Sequence, residues 1–150
     1  MLQTLKHNRK TVSFLYANEK KWSDRTEFTL LEIFDLLAPY LMIEASSERC
    51  RNYLGFMLKP NKDKEINLSN ASPLNRIKEI LADLNALEII KPSIKKHPIS
   101  DKNEYWTLTT EGKKLFKEVR REILDKNVKI SINIEDEKIT EIKNIKKYKK

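Results

Sequence analysis

Glycine occurs only twice in 150 residues, at Gly55 and Gly112, which leaves no material for a glycine-rich loop that cradles phosphate. Cysteine occurs once, so Cys50 has no intrachain disulfide partner and a cysteine-based zinc site within one chain is excluded. Apolar runs are broken by charge well short of the roughly 20 residues needed to cross a bilayer, and the amino terminus lacks a signal-peptide apolar stretch. A soluble, cytoplasmic chain with no metal and no cofactor is therefore expected. Catalytic residue types are equally sparse. His7 and His97 lie in polar segments and read as exposed side chains rather than as acid–base groups. Arg49 and Arg51 flank Cys50, but neighbours along a helix point in different directions, so a structural thiol is expected there. Acid-x-lysine triplets such as Asp63-Lys64-Glu65 and Asp136-Glu137-Lys138 arise by chance in a chain with 35% charged residues. The sequence argues against an enzyme.

Basic charge is plentiful, and it is unevenly placed. The net charge is +8, yet residues 26–138 carry 19 basic and 19 acidic side chains. The excess lies at the ends. Residues 1–25 hold six basic residues against two acidic, and residues 139–150 hold Lys143, Lys146, Lys147, Lys149 and Lys150 against Glu141. Basic arms of this kind add phosphate contacts, because each neutralised phosphate releases counterions, or else simply keep a protein soluble.

Thr11 to Tyr16 is a brief β-type cluster within the polar amino-terminal stretch, and Trp22 is expected to be structural. From Thr26, apolar residues spaced three and four apart (Phe28, Leu31, Phe34, Leu37, Leu41) predict a helix that Pro39 kinks or ends near Leu37 or Ala38. A second helix is predicted from Ser46 or Ser47 to the stop at Pro60, followed by a polar loop and a short apolar step at Ile66 and Leu68. Ser72 before Pro73 reads as an N-cap followed by a first-turn proline. Leu74, Ile77, Ile80, Leu81, Leu84 and Leu87 then form an apolar stripe, with Asn75, Arg76, Lys78, Glu79, Ala82 and Asp83 facing outwards. This helix is expected to end near Asn85, before a strand closed by Pro92. A mildly basic loop, Ser93 to Glu104, leads to the strand Tyr105-Trp106-Thr107-Leu108, with Trp106 beneath the hairpin. Thr109 or Thr110 caps a helix with Leu115, Phe116, Val119 and Ile123 on its buried side. The alternation of Val128, Ile130, Ile132 and Ile134 predicts a half-buried strand. After a turn at residues 135–138, Ile139, Ile142, Ile145 and Tyr148 suit either a returning strand or a short helix.

Residues 26–124 resemble the winged-helix transcription regulators of the MarR and PadR kind. The likeness rests on the leucine-rich end of the 73–87 helix, on Leu87-Glu88-Ile89-Ile90, and on Leu108-Thr109-Thr110-Glu111-Gly112. It implies an α+β fold: a winged helix-turn-helix at 26–124, a basic amino-terminal extension at 1–25, and a carboxy-terminal strand or hairpin extension with a basic tail at 125–150. Two departures stand out. Glu88 occupies the place where the family has glycine, so the left-handed turn is expected at Asn85-Ala86 instead, and residues 59–72 insert ahead of the presumed recognition helix. The resemblance further implies a homodimer bound to double-stranded DNA and acting in transcription regulation. Asn75, Arg76 and Lys78 would reach bases from the helix start, and Lys95, Lys96, His97 and Lys102 would grip the adjacent backbone from the wing. Glu79 and Asp83 on the same helix would oppose phosphates, and the neutral central charge equally suits a winged helix used to bind a protein partner.

Overall fold

A computed structural model describes residues 1–148, and Lys149 and Lys150 of the basic tail lie outside the described residues. Among these are five helices and two small antiparallel sheets, a mixed α+β arrangement. The first helix, α1 (Leu2–His7), leads into β1 (Arg9–Val12), which pairs antiparallel with β2 (Thr26–Thr29), Arg9 opposite Thr29 and Val12 opposite Thr26. The amino-terminal stretch therefore contributes side chains to the core. Leu5, Val12 and Phe14 are fully buried, and Phe14 meets Phe28 edge to face.

The predicted helix from Thr26 starts four residues later, because residues 26–29 are held in the β1 ladder. Thr29 closes the ladder and opens α2 (Leu30–Leu41) with a reciprocal capping box: the Glu32 amide donates to Thr29 Oγ1, and the Thr29 amide donates to the Glu32 carboxylate. Pro39 does not end this helix. It lies inside the helix, two residues before Leu41, although it has no amide to donate one turn back. Ala45 and Ser46 form β3, and Ser46 caps α3 (Ser47–Leu58) by accepting from the Arg49 amide.

The insertion at 59–72 is pinned by the amino-terminal segment. The Ala17 amide donates to Glu65 O, Asn67 to Leu15 O and Leu15 to Ala71 O, while Tyr16 and Ile66 bridge and bury together. Leu68, by contrast, is exposed. Ser72 is buried but is not a cap: its hydroxyl donates to Arg51 O, and Pro73 takes the N-cap position of α4 (Leu74–Ala86) with no side-chain cap. Ile77, Ile80, Leu81 and Leu84 are fully buried on the inner face of α4, which packs on α3.

The end of α4 corrects the expected turn at Asn85-Ala86. Glu88 itself takes the left-handed conformation, at φ 61°. The Glu88 amide donates to Asn85 O and the Ile89 amide to Leu84 O, the paired bonds of a Schellman stop, and Ile89 and Leu84 both bury beside it. Strand β4 (Ile90–Pro92) follows and pairs with β5 (Tyr105–Leu108), which also pairs with β3, giving the order β3-β5-β4.

Thr109 and Gly112 lock this sheet to α5 (Thr110–Tyr148). The Thr109 hydroxyl faces the carbonyls of Glu88 and Ile89 at 2.6 and 3.0 Å and accepts from the Gly112 amide at 2.9 Å. A Cβ on Gly112 would come within 2.1 Å of Ile89 O, so glycine is required by close approach. Further along, Leu115 is buried and Phe116 packs edge to face on Phe34.

The predicted strand at 128–134 is instead part of α5, a helix of 39 residues. A helix satisfies its backbone groups within itself, whereas a strand needs a partner, and among the described residues none pairs there. Val128, Ile130, Ile132 and Ile134 are each about half exposed, at 57, 48, 50 and 46%. The choice left open for residues 139–148 also resolves as helix, with side chains described as far as Lys143. The chain divides into two compact units, Met1–Phe116 and the segment from Lys117 onward.

Candidate nucleic-acid interface

Asn75 and Arg76 stand on the first turn of α4, where an exposed helix start presents side chains to a surface. Asn75 is exposed, and Arg76 is half-buried with its guanidinium 2.8 Å from the Glu79 carboxylate. Lys78 lies 3.8 Å from Glu104, so it joins α4 to the base of the β4–β5 loop. The two acidic residues expected to oppose phosphate are both engaged. Glu79 pairs with Arg76, and Asp83 forms a close ion pair with Lys10 of β1. A basic residue from the amino-terminal stretch thus offsets an acidic one on α4.

In the loop, Lys95, Lys96 and Lys102 are exposed, while His97 is not free. Its ring stacks on Tyr105 at 3.8 Å and 6°, with Nε2 3.0 Å from Glu44 Oε1, without the alignment of a hydrogen bond, and Nδ1 3.9 Å from Asp101. Ser93 Oγ makes a close hydrogen bond to the other oxygen of Glu44, and Tyr105 donates to Asp101 at 2.6 Å. The Ser93 hydrogen bond, aided by the neighbouring His97, holds the Glu44 carboxyl below its ordinary range, and the Tyr105 hydrogen bond does the same for Asp101. His97 therefore fastens the loop to the turn before β3, and Lys95, Lys96 and Lys102 are left as the loop's exposed cations.

Cys50 is 1% exposed, and burial pushes its thiol up to about 12 despite Arg49. His7 Nδ1 lies 2.7 Å from Gln3 O within α1. Among the described residues, no three His, Cys, Asp or Glu side chains gather as metal ligands, and no helix is long and apolar enough to cross a membrane.

Trp106 is half-buried beneath the hairpin as expected, its indole donating to Ser47 Oγ at 3.2 Å. Trp22, expected to be structural, is 46% exposed and lines a cavity of about 420 Å³ beside Arg25, Asn75 and Arg76. The run Lys20-Lys21-Trp22 with Arg25, an aromatic set among cations, is the sequence signal that marks this place. No protein-family model, curated protein or solved structure matches the chain.

Proposed function

We propose that this chain is a non-enzymatic winged-helix protein that binds double-stranded DNA and regulates transcription as a homodimer. One observation carries the reading: α2, β3, α3 and α4 precede the hairpin β4–β5, and β5 lies between β3 and β4. In a winged helix that order makes α4 the helix that enters the major groove and the 93–104 loop the wing. Asn75, Arg76 and Lys78 then face base edges, and Lys95, Lys96 and Lys102 face the backbone. The pairing of Glu79 with Arg76 and of Asp83 with Lys10 supports the reading, because it partly offsets the two carboxylates that α4 would bring near phosphate.

The dimer reading draws on α5. Leu124, Val128, Ile132, Ile139 and Ile142 fall on one helical face, and each is at least half exposed, at 50 to 58%. The same face supports the second reading, an assembly module that binds a different protein and no DNA.

A salt titration of binding to labelled duplex distinguishes the two. Wild type is expected to lose affinity log-linearly with salt, and Lys95→Ala with Lys96→Ala is expected to flatten the slope by up to about two, roughly one per lost phosphate contact. Equal slopes would remove the loop from the interface. No binding to any duplex at low salt would leave the assembly module.

A further inference from the structure

We propose that the cavity between the β1–β2 connection and the start of α4 receives a single unpaired nucleobase of the bound DNA. The inference rests on the DNA-binding reading above and names what that interface selects.

The backbone that carries Trp22 is anchored, although the indole is exposed. The Ser23 amide donates to Phe14 O at 2.8 Å, and the Phe14 amide donates to Ser23 Oγ at 2.9 Å. Phe14 is fully buried, so the residue next to Trp22 is tied to the core. At the other end of the connection Asn18 takes φ 66°, a left-handed turn that asparagine tolerates, and the Ala17 amide donates to Glu65 O. The anchored backbone fixes the point from which the exposed indole extends. A stacking platform needs that, since less order must be imposed on binding.

The walls suit a base better than a phosphate. Trp22 supplies an aromatic surface, and Pro73 adds apolar surface. The Asn75 amide, the Arg76 guanidinium and the Glu79 carboxylate offer donors and acceptors in the same cavity, the set that reads the polar edges of bases. A carboxylate within the cavity repels a phosphate but accepts from an exocyclic amine. Arg25 also lines the cavity, and it has no ion-pair or hydrogen-bond partner among the described residues. Lys20 and Lys21, both exposed, immediately precede Trp22. A basic edge with an aromatic platform is how proteins hold a strand by its backbone while stacking its bases. The volume, about 420 Å³, lies within the ~300–1,000 Å³ of small-molecule sites. Because Asn75 and Arg76 belong both to this cavity and to the proposed groove-reading surface, a base that leaves the duplex there has a place to go.

Three DNAs of one sequence test this: a fully paired duplex, the same duplex with one unpaired 2-aminopurine, and the single strand. Wild type is expected to bind the second about tenfold more tightly than the first, ~1.4 kcal/mol and within the range of one base–aromatic stack. The 2-aminopurine emission should be quenched. Trp22→Ala should abolish the preference and the quenching while leaving affinity for the paired duplex unchanged, and Trp22→Phe should keep most of both. Equal affinity of wild type for the paired and unpaired duplexes overturns the base pocket and leaves duplex binding standing. A loss in Trp22→Ala that is the same for both duplexes also overturns it, making Trp22 a general support of the surface. Failure to bind any of the three overturns the DNA reading and this inference with it. Tightest binding to the single strand, with quenching lost in Trp22→Ala, supports the pocket and overturns duplex as the main substrate.

Discussion

Glu88 holds a left-handed conformation that costs a side-chain-bearing residue roughly 1–2 kcal/mol. The conformation persists because the Schellman hydrogen bonds and the burial of Ile89 require it. Glu88→Gly is accordingly expected to raise stability by about 1 kcal/mol, measured by urea unfolding, since relief of strain exceeds the added chain entropy of glycine. A variant no more stable than wild type would show that Glu88 is unstrained. Gly112 predicts the opposite sign. Gly112→Ala places a methyl against Ile89 O, a backbone atom that cannot swing aside, and is expected to destabilise by about 1–3 kcal/mol in the same assay. The Glu44, Ser93, His97, Asp101 and Tyr105 cluster sets a pH dependence. Both carboxyls lie below their ordinary values of 4.5 and 3.8 when folded, so the stability they contribute is complete above those values. It is lost as pH falls through the depressed folded values. Melting temperature measured from about pH 6 to about pH 3 should fall at the acid end, and less steeply in Glu44→Gln combined with Asp101→Asn. Parallel curves would exclude the cluster as the source.

At the scale of elements, α5 carries the largest departure from the sequence reading. Alternating isoleucines are ambiguous, because period two over a few residues places side chains on two sides of a helix as readily as on one face of a strand. Deleting residues 139–150 removes Ile139 and Ile142, which are exposed at 51 and 53%. The melting temperature at low protein concentration is expected to stay constant. The mass measured by light scattering at high concentration should fall from that of a pair towards the 17.8 kDa of one full chain or less. An unchanged mass would remove this part of α5 from the proposed dimer interface, and a lower melting temperature of the monomer would mean that these isoleucines stabilise the folded chain.

Over the whole molecule, the elements that were legible are those whose cause is local. Composition set the charge at the ends and the scarcity of catalytic residue types. The 3.6-residue stripe of α4, the Ser46 cap of α3 and the Thr109 start of α5 all follow from residues within a few turns of each other. The outward placement of Asn75 and Arg76 was legible for the same reason, since they sit on a helix whose inward side is apolar, and the exposure of Lys95, Lys96 and Lys102 followed from their place in a polar loop. Contacts distant in the chain decided the rest. Val12, Phe14 and Tyr16 became core as their stretch paired with residues 26–29 and 65–71, the left-handed turn settled on Glu88 because Ile89 and Leu84 bury together, and His97 was drawn from the loop surface by Glu44. Only the folded chain brings Trp22 and Arg25 to Asn75 and Arg76, some fifty residues apart in order. Local periodicity specifies which face of an element is apolar, but which partner covers that face, and which side chains are left around a cavity, depends on free energy shared between segments that the order of residues does not place together.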